Sequence, residues 1–259
     1  MRDPLEFQVR PDLREAALLL AFEGWNDAGE AASSAVRFIE RAIQAVPLAE
    51  IDCEEFLDFT VARPIVRLSE GESREIEWPH TRFVYGAVDP SRELVVCCGT
   101  EPHVRWRAYA EACVRLVRTL GLRRAVLLGA YLADVLYSRP VAVTGFASRP
   151  ELLEEIGVPR SSYEGPTGIV GVLGEEFRHE GLEVVSLWAA LPHYVSAAPN
   201  PRGTLALVLK AMQLLDVKLD TEGLEREAAG FEERISAIVA ADPELGEYVR
   251  QIKKREFAH

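Results

Sequence analysis

Short apolar runs that end at a turn and lead into a segment of helical spacing recur along the chain, and this alternation limits the possible folds. Ala16–Phe22 is a continuous apolar run, which is typical of a strand buried on both faces. The turn Gly24–Glu30 follows, and apolar residues then recur at helical spacing through Val36, Ile39 and Ile43. Repeated strands and helices predict an α/β fold, a three-layer α/β/α sandwich with a mostly parallel mixed sheet.

The same pattern continues along the chain and divides it in two. Further strands are predicted near residues 51–56, 94–98, 125–128, 141–146 and 182–191, and helices near 106–120, 150–156, 165–173 and 205–215. Region 64–89, split by Pro79, predicts an antiparallel hairpin or edge extension. After Asp220, apolar steps of three and four predict two helices, the second beginning at Asp242-Pro243. The predicted organisation is an α/β core domain of residues 1–220 and a C-terminal helical extension, 221–259, packed on the core or on a neighbouring subunit.

Composition narrows the classes of partner. A chain of 259 residues with 48% hydrophobic residues can bury a sizeable core. The net charge of −12 argues against nucleic acid, because binding to its phosphates depends on clustered Lys and Arg. The sequence contains no apolar run long enough to span a membrane, and Met1–Glu6 lacks the apolar core of a secretory signal. We therefore expect a cytoplasmic protein with no nucleic-acid or membrane partner.

Cysteine and histidine spacing predicts neither a metal site nor a cofactor. Cys53, Cys97, Cys98 and Cys113 form no CxxC pair, and the histidines show no HxH or HxxxH spacing. Successive strand residues point to opposite faces, so Cys97 and Cys98 are not expected to share a metal or redox role. Buried, reduced thiols are the predicted state of all four cysteines.

Two polar residues, Asn26 and Asp27, follow the first strand and are candidates for binding a ligand or partner. In an open α/β sheet they would face the crevice at the carboxyl ends of the strands. The alternative is a helix cap, because Asp27 precedes Glu30 by the three residues of a capping box. The spacing favours the cap.

A second pair of candidates, His193 and Tyr194, follows the last predicted strand directly after Pro192. Histidine can act as an acid or base near neutral pH. A Ser-His-Asp mechanism on an α/β sheet would need a G-x-S-x-G turn, which the sequence lacks. A loop histidine bonded to the backbone is the alternative, so no residue is predicted to be catalytic.

The glycines Gly165, Gly168 and Gly171 admit two interpretations. Phosphate-binding loops need G-x-G-x-x-G directly after a strand, or Gly-Lys-Ser/Thr, and neither occurs here. Glycines three apart also lie near one face of a helix and allow close packing. The sequence leaves open whether this segment faces a ligand or a neighbouring helix.

Three motifs together resemble one known family. Gly24–Gly29 (GWNDAG), Gly165–Ile169 (GPTGI) and Trp188–Val195 (WAALPHYV), in this order, are similar to the proteasome assembly chaperone family, and the match is closest to its actinobacterial-type branch. The resemblance covers nearly the whole chain and implies a phosphorylase/hydrolase-like sandwich that is commonly oligomeric, for example as a trimer. In eukaryotic relatives a C-terminal hydrophobic-Tyr-any tripeptide docks between proteasome α-subunits, whereas this chain has Phe257-Ala258-His259.

Two hypotheses of function follow. The first is a non-enzymatic, chaperone-like protein that forms a homo-oligomer and binds protein, with proteasome subunits as the partner that the resemblance implies. The alternative is a small-molecule-binding protein or an enzyme, of hydrolase or ligase type, that uses the crevice at the carboxyl ends of the strands. Asn26, Asp27, His193 and Tyr194 would line the binding site in either case.

Overall fold

The computed structural model describes residues 3–69, 73–195 and 197–256. The strands are β1 Leu5–Phe7, β2 Ala17–Glu23, β3 Val46–Ile51, β4 Ile65–Ser69, β5 Ser73–Glu77, β6 Thr81–Asp89, β7 Arg92–Thr100, β8 Arg124–Ala133, β9 Val143–Ala147 and β10 Glu183–Pro192. The α-helices are α1 Ala31–Ala42, α2 Trp106–Thr119, α3 Glu151–Glu155, α4 Ile169–His179, α5 Pro201–Leu215, α6 Glu222–Ala241 and α7 Pro243–Glu256.

Eight strands form one mixed sheet in the order β1-β3-β6-β7-β2-β8-β10-β9. Its centre is parallel, because β7, β2, β8 and β10 all run in the same direction. The flanking pairs β1–β3, β3–β6, β6–β7 and β9–β10 are antiparallel. The prediction of a mixed sheet is confirmed, although antiparallel pairs are more frequent than the alternation of strands and helices suggested. One reason is the β6–β7 turn, which closes between Asp89 and Arg92 without an intervening helix.

Helices cover both faces of the sheet, so the predicted three-layer α/β/α arrangement is confirmed. Leu19 and Ala21 of β2 belong to the core under α1 and α5, whereas Leu18 and Leu20 belong to the core under α2 and α4. This alternation makes residues Ala17–Phe22 of the central strand all apolar, because both of its faces are buried there. It also separates the Cys97 and Cys98 side chains, as predicted: Cys97 lies in the second core and Cys98 packs against the first.

One strand prediction was wrong. The segment 51–56 was expected to be extended, but β3 lies earlier, at Val46–Ile51, and the chain then turns so that Phe56 N donates to Cys53 O at 3.0 Å. The pairing of β3 with β6 shifts register between Pro47 and Ala49, which buries Leu48 and Ala49 in succession. This bulge removes the period-two signal that would have revealed the strand.

The C-terminal segment forms the two predicted helices, and Asp242 Oδ1 accepts hydrogen bonds from Glu244 N and Leu245 N, as expected of an N-cap before Pro243. Helix α6 packs on α5 and on α7, and Ile252 of α7 is buried. The boundary at residue 220 stays a prediction, and Phe257-Ala258-His259 lies outside the described residues. Within the described ranges, none of the helices has the length and apolar character needed to cross a bilayer.

Close packing at Gly129 gives a first test of this fold. Gly129 of β8 pairs with Trp188 of β10, and a Cβ atom at Gly129 would lie 2.5 Å from the indole ring. We expect Gly129→Ala to lower the free energy of unfolding by about 1–3 kcal/mol, as overpacked sites do. In Gly223→Ala the added Cβ would meet no atom within 4 Å, so this helical control should be neutral or slightly stabilising. Urea denaturation measures both, and equal effects would contradict the packing at Gly129.

Candidate functional site

The loop after β2 fills the place where open α/β sheets usually bind ligands. After β2 the chain crosses to the side of the sheet that holds β3, whereas after β8 it crosses to the side that holds β10. The crevice therefore lies between β2 and β8. Their pairing ends at Leu20 and Leu127, but Asn26 O accepts a hydrogen bond from Ala130 N at 2.8 Å further along. Asn26 is 0% exposed. The crevice is therefore closed by the protein's own backbone.

Glu101, which the sequence analysis did not single out, connects this loop to α4. Its Oε1 accepts one hydrogen bond from Asn26 Nδ2 at 2.7 Å and another from Ile169 N at 2.8 Å. Ile169 begins α4, so the carboxylate lies at the positive end of the helix dipole. The signal available in the sequence was a carboxylate directly after the strand β7.

Of the three glycines of the GPTG segment and α4, Gly168 contacts the Asn26 loop most closely. A Cβ at Gly168 would overlap the Asn26 side-chain amide, so only glycine allows this approach. Gly168 is the extended N-cap residue of α4, and Gly165 precedes the helix. Helix α4 begins only at Ile169, later than the sequence predicted, and the Gly168 contact is packing against a loop of the same chain, which is neither the ligand nor the neighbouring helix that the glycine spacing left open.

Asp27 bonds to the first turn of the helix that follows it, but the predicted capping box does not form, because Glu30 is the N-cap residue of α1. Its Oδ1 accepts hydrogen bonds from Ala32 N at 2.8 Å and Ser33 N at 3.1 Å, in the first turn of α1. Glu30 takes a left-handed conformation with φ of 51° at the start of the helix. Burial raises the pKa of Asp27, and the hydrogen bonds from Ser33 and Ala32 oppose that rise. Among the described residues, Asp27 Oδ2 and Asn26 Oδ1 are buried without a hydrogen-bond partner.

Tyr194 and His193 hold two other segments at the end of β10. Tyr194 Oη donates to Val135 O and accepts from Tyr137 N, both at 2.9 Å, and so fixes the loop after β8. His193 Nε2 lies 3.1 Å from the hydroxyl of Tyr248 on α7, which donates to Asp134 Oδ1 at 2.9 Å. The His193, Tyr194 and Tyr248 rings lie with their centroids 5.5–5.6 Å apart. Helix α7 thus covers the His193 loop.

The two pairs of candidates lie at separate places in the fold, and Asn200 connects their loops. Asn200 N donates to Gly29 O at 2.7 Å, while its Oδ1 accepts from Gly203 N and caps α5. A cavity of about 140 Å³ lies between the end of β10, the loop after β8 and α6; it is lined by Leu136, Pro192 and Phe231 among others, and not by Asn26, Asp27, His193 or Tyr194. Binding of a ligand or partner by these four residues stays a prediction.

The thiols offer little nucleophilic chemistry in this arrangement. Cys53, Cys97 and Cys113 are buried, and Cys98 is partly buried. Burial raises the pKa of Cys97 and Cys113 well above the usual range and that of Cys98 to about 11. These groups are therefore protonated at neutral pH, and the thiolate is the nucleophilic form. In the described ranges, no group of three or more His, Cys, Asp or Glu side chains is arranged to hold a metal ion.

The protein is an α/β/α sandwich with a closed crevice. The polar residues at the ends of its strands connect loops and bond to the starts of helices. The model of the PAC2 family matches residues 21–239, and the chain therefore belongs to the PAC2 family. The three motifs by which the sequence resembles proteasome assembly chaperones lie in the loop after β2, at the start of α4 and at the end of β10. A comparison with curated proteins found no match.

Solved structures agree with this assignment. A PAC2 family protein from Streptomyces avermitilis is 42% identical, with a TM-score of 0.83 over 90% of this chain and 99% of that one. A proteasome-assembly chaperone homologue from Mycobacterium tuberculosis is 40% identical, with a TM-score of 0.82 over 90% and 99%. An archaeal proteasome activator from Pyrococcus furiosus, at 17% identity and a TM-score of 0.71 over 90% and 97%, shares the fold. The first two sources are actinobacterial, which confirms the predicted branch.

The Glu101 contacts predict a large effect of a single substitution. Glu101→Ala removes both hydrogen bonds and leaves the buried Asn26 amide without this acceptor, so we expect a loss of about 2–4 kcal/mol in the free energy of unfolding. Glu164→Ala, which removes an exposed carboxylate before α4, is the control and should change it by less than about 0.5 kcal/mol. Chemical denaturation measures both. Similar losses in the two variants would contradict the connecting role of Glu101.

A second prediction concerns the docking of α7. Tyr248→Phe keeps the ring among His193 and Tyr194 but removes the hydroxyl that contacts Asp134 and His193. A net loss of about 1 kcal/mol should make local opening of α7 roughly fivefold more frequent. Hydrogen exchange of residues 243–256 measures this opening. Tyr131→Phe, at an exposed ring on β8, is the control, and unchanged exchange in Tyr248→Phe would show that the hydroxyl does not hold the helix.

Proposed function

We propose that this protein is a non-enzymatic, chaperone-like binding protein of the cytoplasm that forms a homo-oligomer and takes proteasome subunits as its partner. The observation that carries the proposal is the closed crevice: Asn26 fills the gap between β2 and β8, and its amide bonds to Glu101. A substrate site at the strand ends would need open space and free polar groups. Here Asn26 Nδ2 and Asp27 Oδ1 instead bond within the chain and fix the surface above them, while Asn26 Oδ1 and Asp27 Oδ2 are buried.

That surface exposes apolar and aromatic side chains. We call it the rim; it consists of Trp25, Val104, Tyr131, Leu132 and Tyr163, which are between 39% and 66% exposed. Trp25 and Tyr131 are the sequence neighbours of Asn26 and Ala130. The hydrogen bond from Ala130 N to Asn26 O therefore fixes the backbone next to both side chains. Tyr163 Oη donates to Pro166 O at 2.9 Å, next to the GPTG turn. Exposed aromatic residues on a fixed scaffold are typical of protein-binding surfaces.

The relatives support a proteasome-related partner. The 40% identical protein of Mycobacterium tuberculosis is described as a proteasome-assembly chaperone homologue. The archaeal relative with the same fold is described as a proteasome activator. If this chain acts on the same kind of partner, the rim is one part of its surface that offers the apolar area that such an interaction buries.

A capture experiment tests the proposal. Immobilised protein should retain a purified actinobacterial proteasome α-subunit, and the double variant Trp25→Ala/Tyr163→Ala should weaken retention at least about tenfold, since interface aromatics are frequent hot spots. The matched control Phe146→Ala/Leu209→Ala removes two exposed apolar side chains from other parts of the surface and should bind normally. No retention by the unmodified protein, or equal loss in both double variants, would contradict the proposal.

A further inference from the structure

The cavity of about 140 Å³ lies where helix α6 packs against the α/β layers. Three parts of the chain enclose it: the loop between β8 and β9, the end of β10 together with the start of α5, and one face of α6. Its apolar walls include Leu136, Leu191, Phe231 and Ile235, each at most 6% exposed. Interior side chains of the sheet layer and of the C-terminal helices thus meet around one space.

The size of this space distinguishes it from an ordinary packing gap. Protein interiors are close-packed and contain few voids larger than a water molecule. Side chains beside a larger void lose the contacts that a filled site would give them. An apolar cavity of about 150 Å³ is large enough to bind benzene. The cavity under α6 therefore has room for a compact molecule of about six to eight non-hydrogen atoms.

One polar side chain of the lining, Asn200, offers a hydrogen-bond donor. Asn200 is 4% exposed, and its Oδ1 accepts a hydrogen bond from Gly203 N at 3.1 Å, which fixes the orientation of the amide. Among the described residues, the Asn200 side chain makes no other hydrogen bond, so its Nδ2 group keeps its donors. Buried amide donors need an acceptor. An oxygen of a molecule in the cavity would supply one.

The charged side chains of the lining favour a neutral molecule. Arg202 Nη2 lies 3.3 Å from Glu232 Oε2 and donates to Arg139 O at 2.7 Å. A carboxylate in the cavity would meet Glu232, and a cation would meet Arg202, so neither sign of charge is favoured. Arg139 is exposed, and the solvent screens its charge.

The cavity adjoins a groove on the surface, which offers a route of entry. This groove has a volume of about 520 Å³ and shares residues 140–142 and Arg202 with the cavity. Its lining adds Leu205 and Leu209 of α5 and Ala228 of α6, so most of it is apolar. The shared residues form the wall between the two spaces.

We infer that the cavity under α6 is a binding site for a compact, neutral, largely apolar molecule with one hydrogen-bond acceptor, which Asn200 Nδ2 recognises while Leu136, Phe231 and Ile235 surround the apolar part. The site is separate from the rim, so the inference goes beyond the proposed function and does not depend on the protein partner. A bound molecule contacts the β8–β9 loop and α6 together, and it stabilises the packing of α6 by mass action.

Two probes of nearly equal shape test the site: cyclohexanone, which has an acceptor oxygen, and methylenecyclohexane, which has none. Nuclear magnetic resonance titration of the whole chain measures both dissociation constants, and we expect about millimolar values for molecules of this size. Asn200→Asp keeps the oxygen that caps α5 but replaces the donor. This variant should lower the affinity for the ketone about tenfold relative to the alkene, the effect of one lost hydrogen bond. The ketone should also slow hydrogen exchange of residues 222–241 in the unmodified protein.

Variants that fill the cavity give the second arm of the experiment. Leu136→Phe should abolish binding of both probes, whereas Leu209→Phe, at an exposed position outside the cavity, is the matched control and should bind normally. Ala190→Val adds two methyl groups to the same lining and should weaken both probes, so the test stays decisive if Leu136→Phe does not fold. Circular dichroism establishes which variants are folded.

Three results would overturn the inference: neither probe binds up to its limit of solubility, the folded filling variants bind as well as the unmodified protein, or the ratio of the two affinities is the same in Asn200→Asp. Binding that leaves the exchange of residues 222–241 unchanged would also overturn it, because the molecule would then lie elsewhere. Loss of probe binding with normal capture of the α-subunit in the filling variants supports the inference and shows that the two sites act separately.

Discussion

The hydrogen bond from Ala130 N to Asn26 O is the interaction on which the arrangement of the loops depends. Two parallel strands that diverge at the centre of a sheet leave unpaired backbone groups, and buried backbone groups need partners. The loop after β2 supplies one, and its side chain then extends the connection through Glu101 to α4. In the same loop, Gly29 O accepts a hydrogen bond from Asn200 N at the start of α5. One loop therefore relates the starts of α1, α4 and α5 to the centre of the sheet.

These contacts explain which parts of the fold and of the candidate site could be predicted from the sequence. The central strands were predictable because burial on both faces leaves continuous apolar runs, as in Ala17–Phe22. A structural role for Asp27 at the start of α1 was also predictable, but its partners lie five and six residues away, not at the spacing of a capping box. Glu101 was not, because its partners lie 75 and 68 residues away. Tyr248 has the same difficulty, since its partner Asp134 is 114 residues distant. Periodicity reports the face that a residue buries, whereas pairing between distant loops follows only from the assembled fold.

The four candidate residues lie at the carboxyl ends of the strands, as the sequence predicted, but their residue types suggested open chemistry. A histidine, a tyrosine and an aspartate in loops can bind a substrate or satisfy the backbone, and sequence alone does not separate the two. The structure shows the backbone role for Tyr194 and Asp27, and a contact with Tyr248 for His193. Polar groups that form such contacts hold the loops rigid, which is what a recognition surface built on loops requires.

The hairpin of strands β4 and β5 lies close to the rim. It leads directly into the start of β6, which pairs antiparallel with β7 and so begins where β7 ends, next to Glu101. The segment between β3 and β4 reaches the rim as well, because Phe56 O accepts hydrogen bonds from His103 N and Val104 N. The position of Val104, a rim residue, therefore depends on the loop that leads into the hairpin as well as on the end of β7.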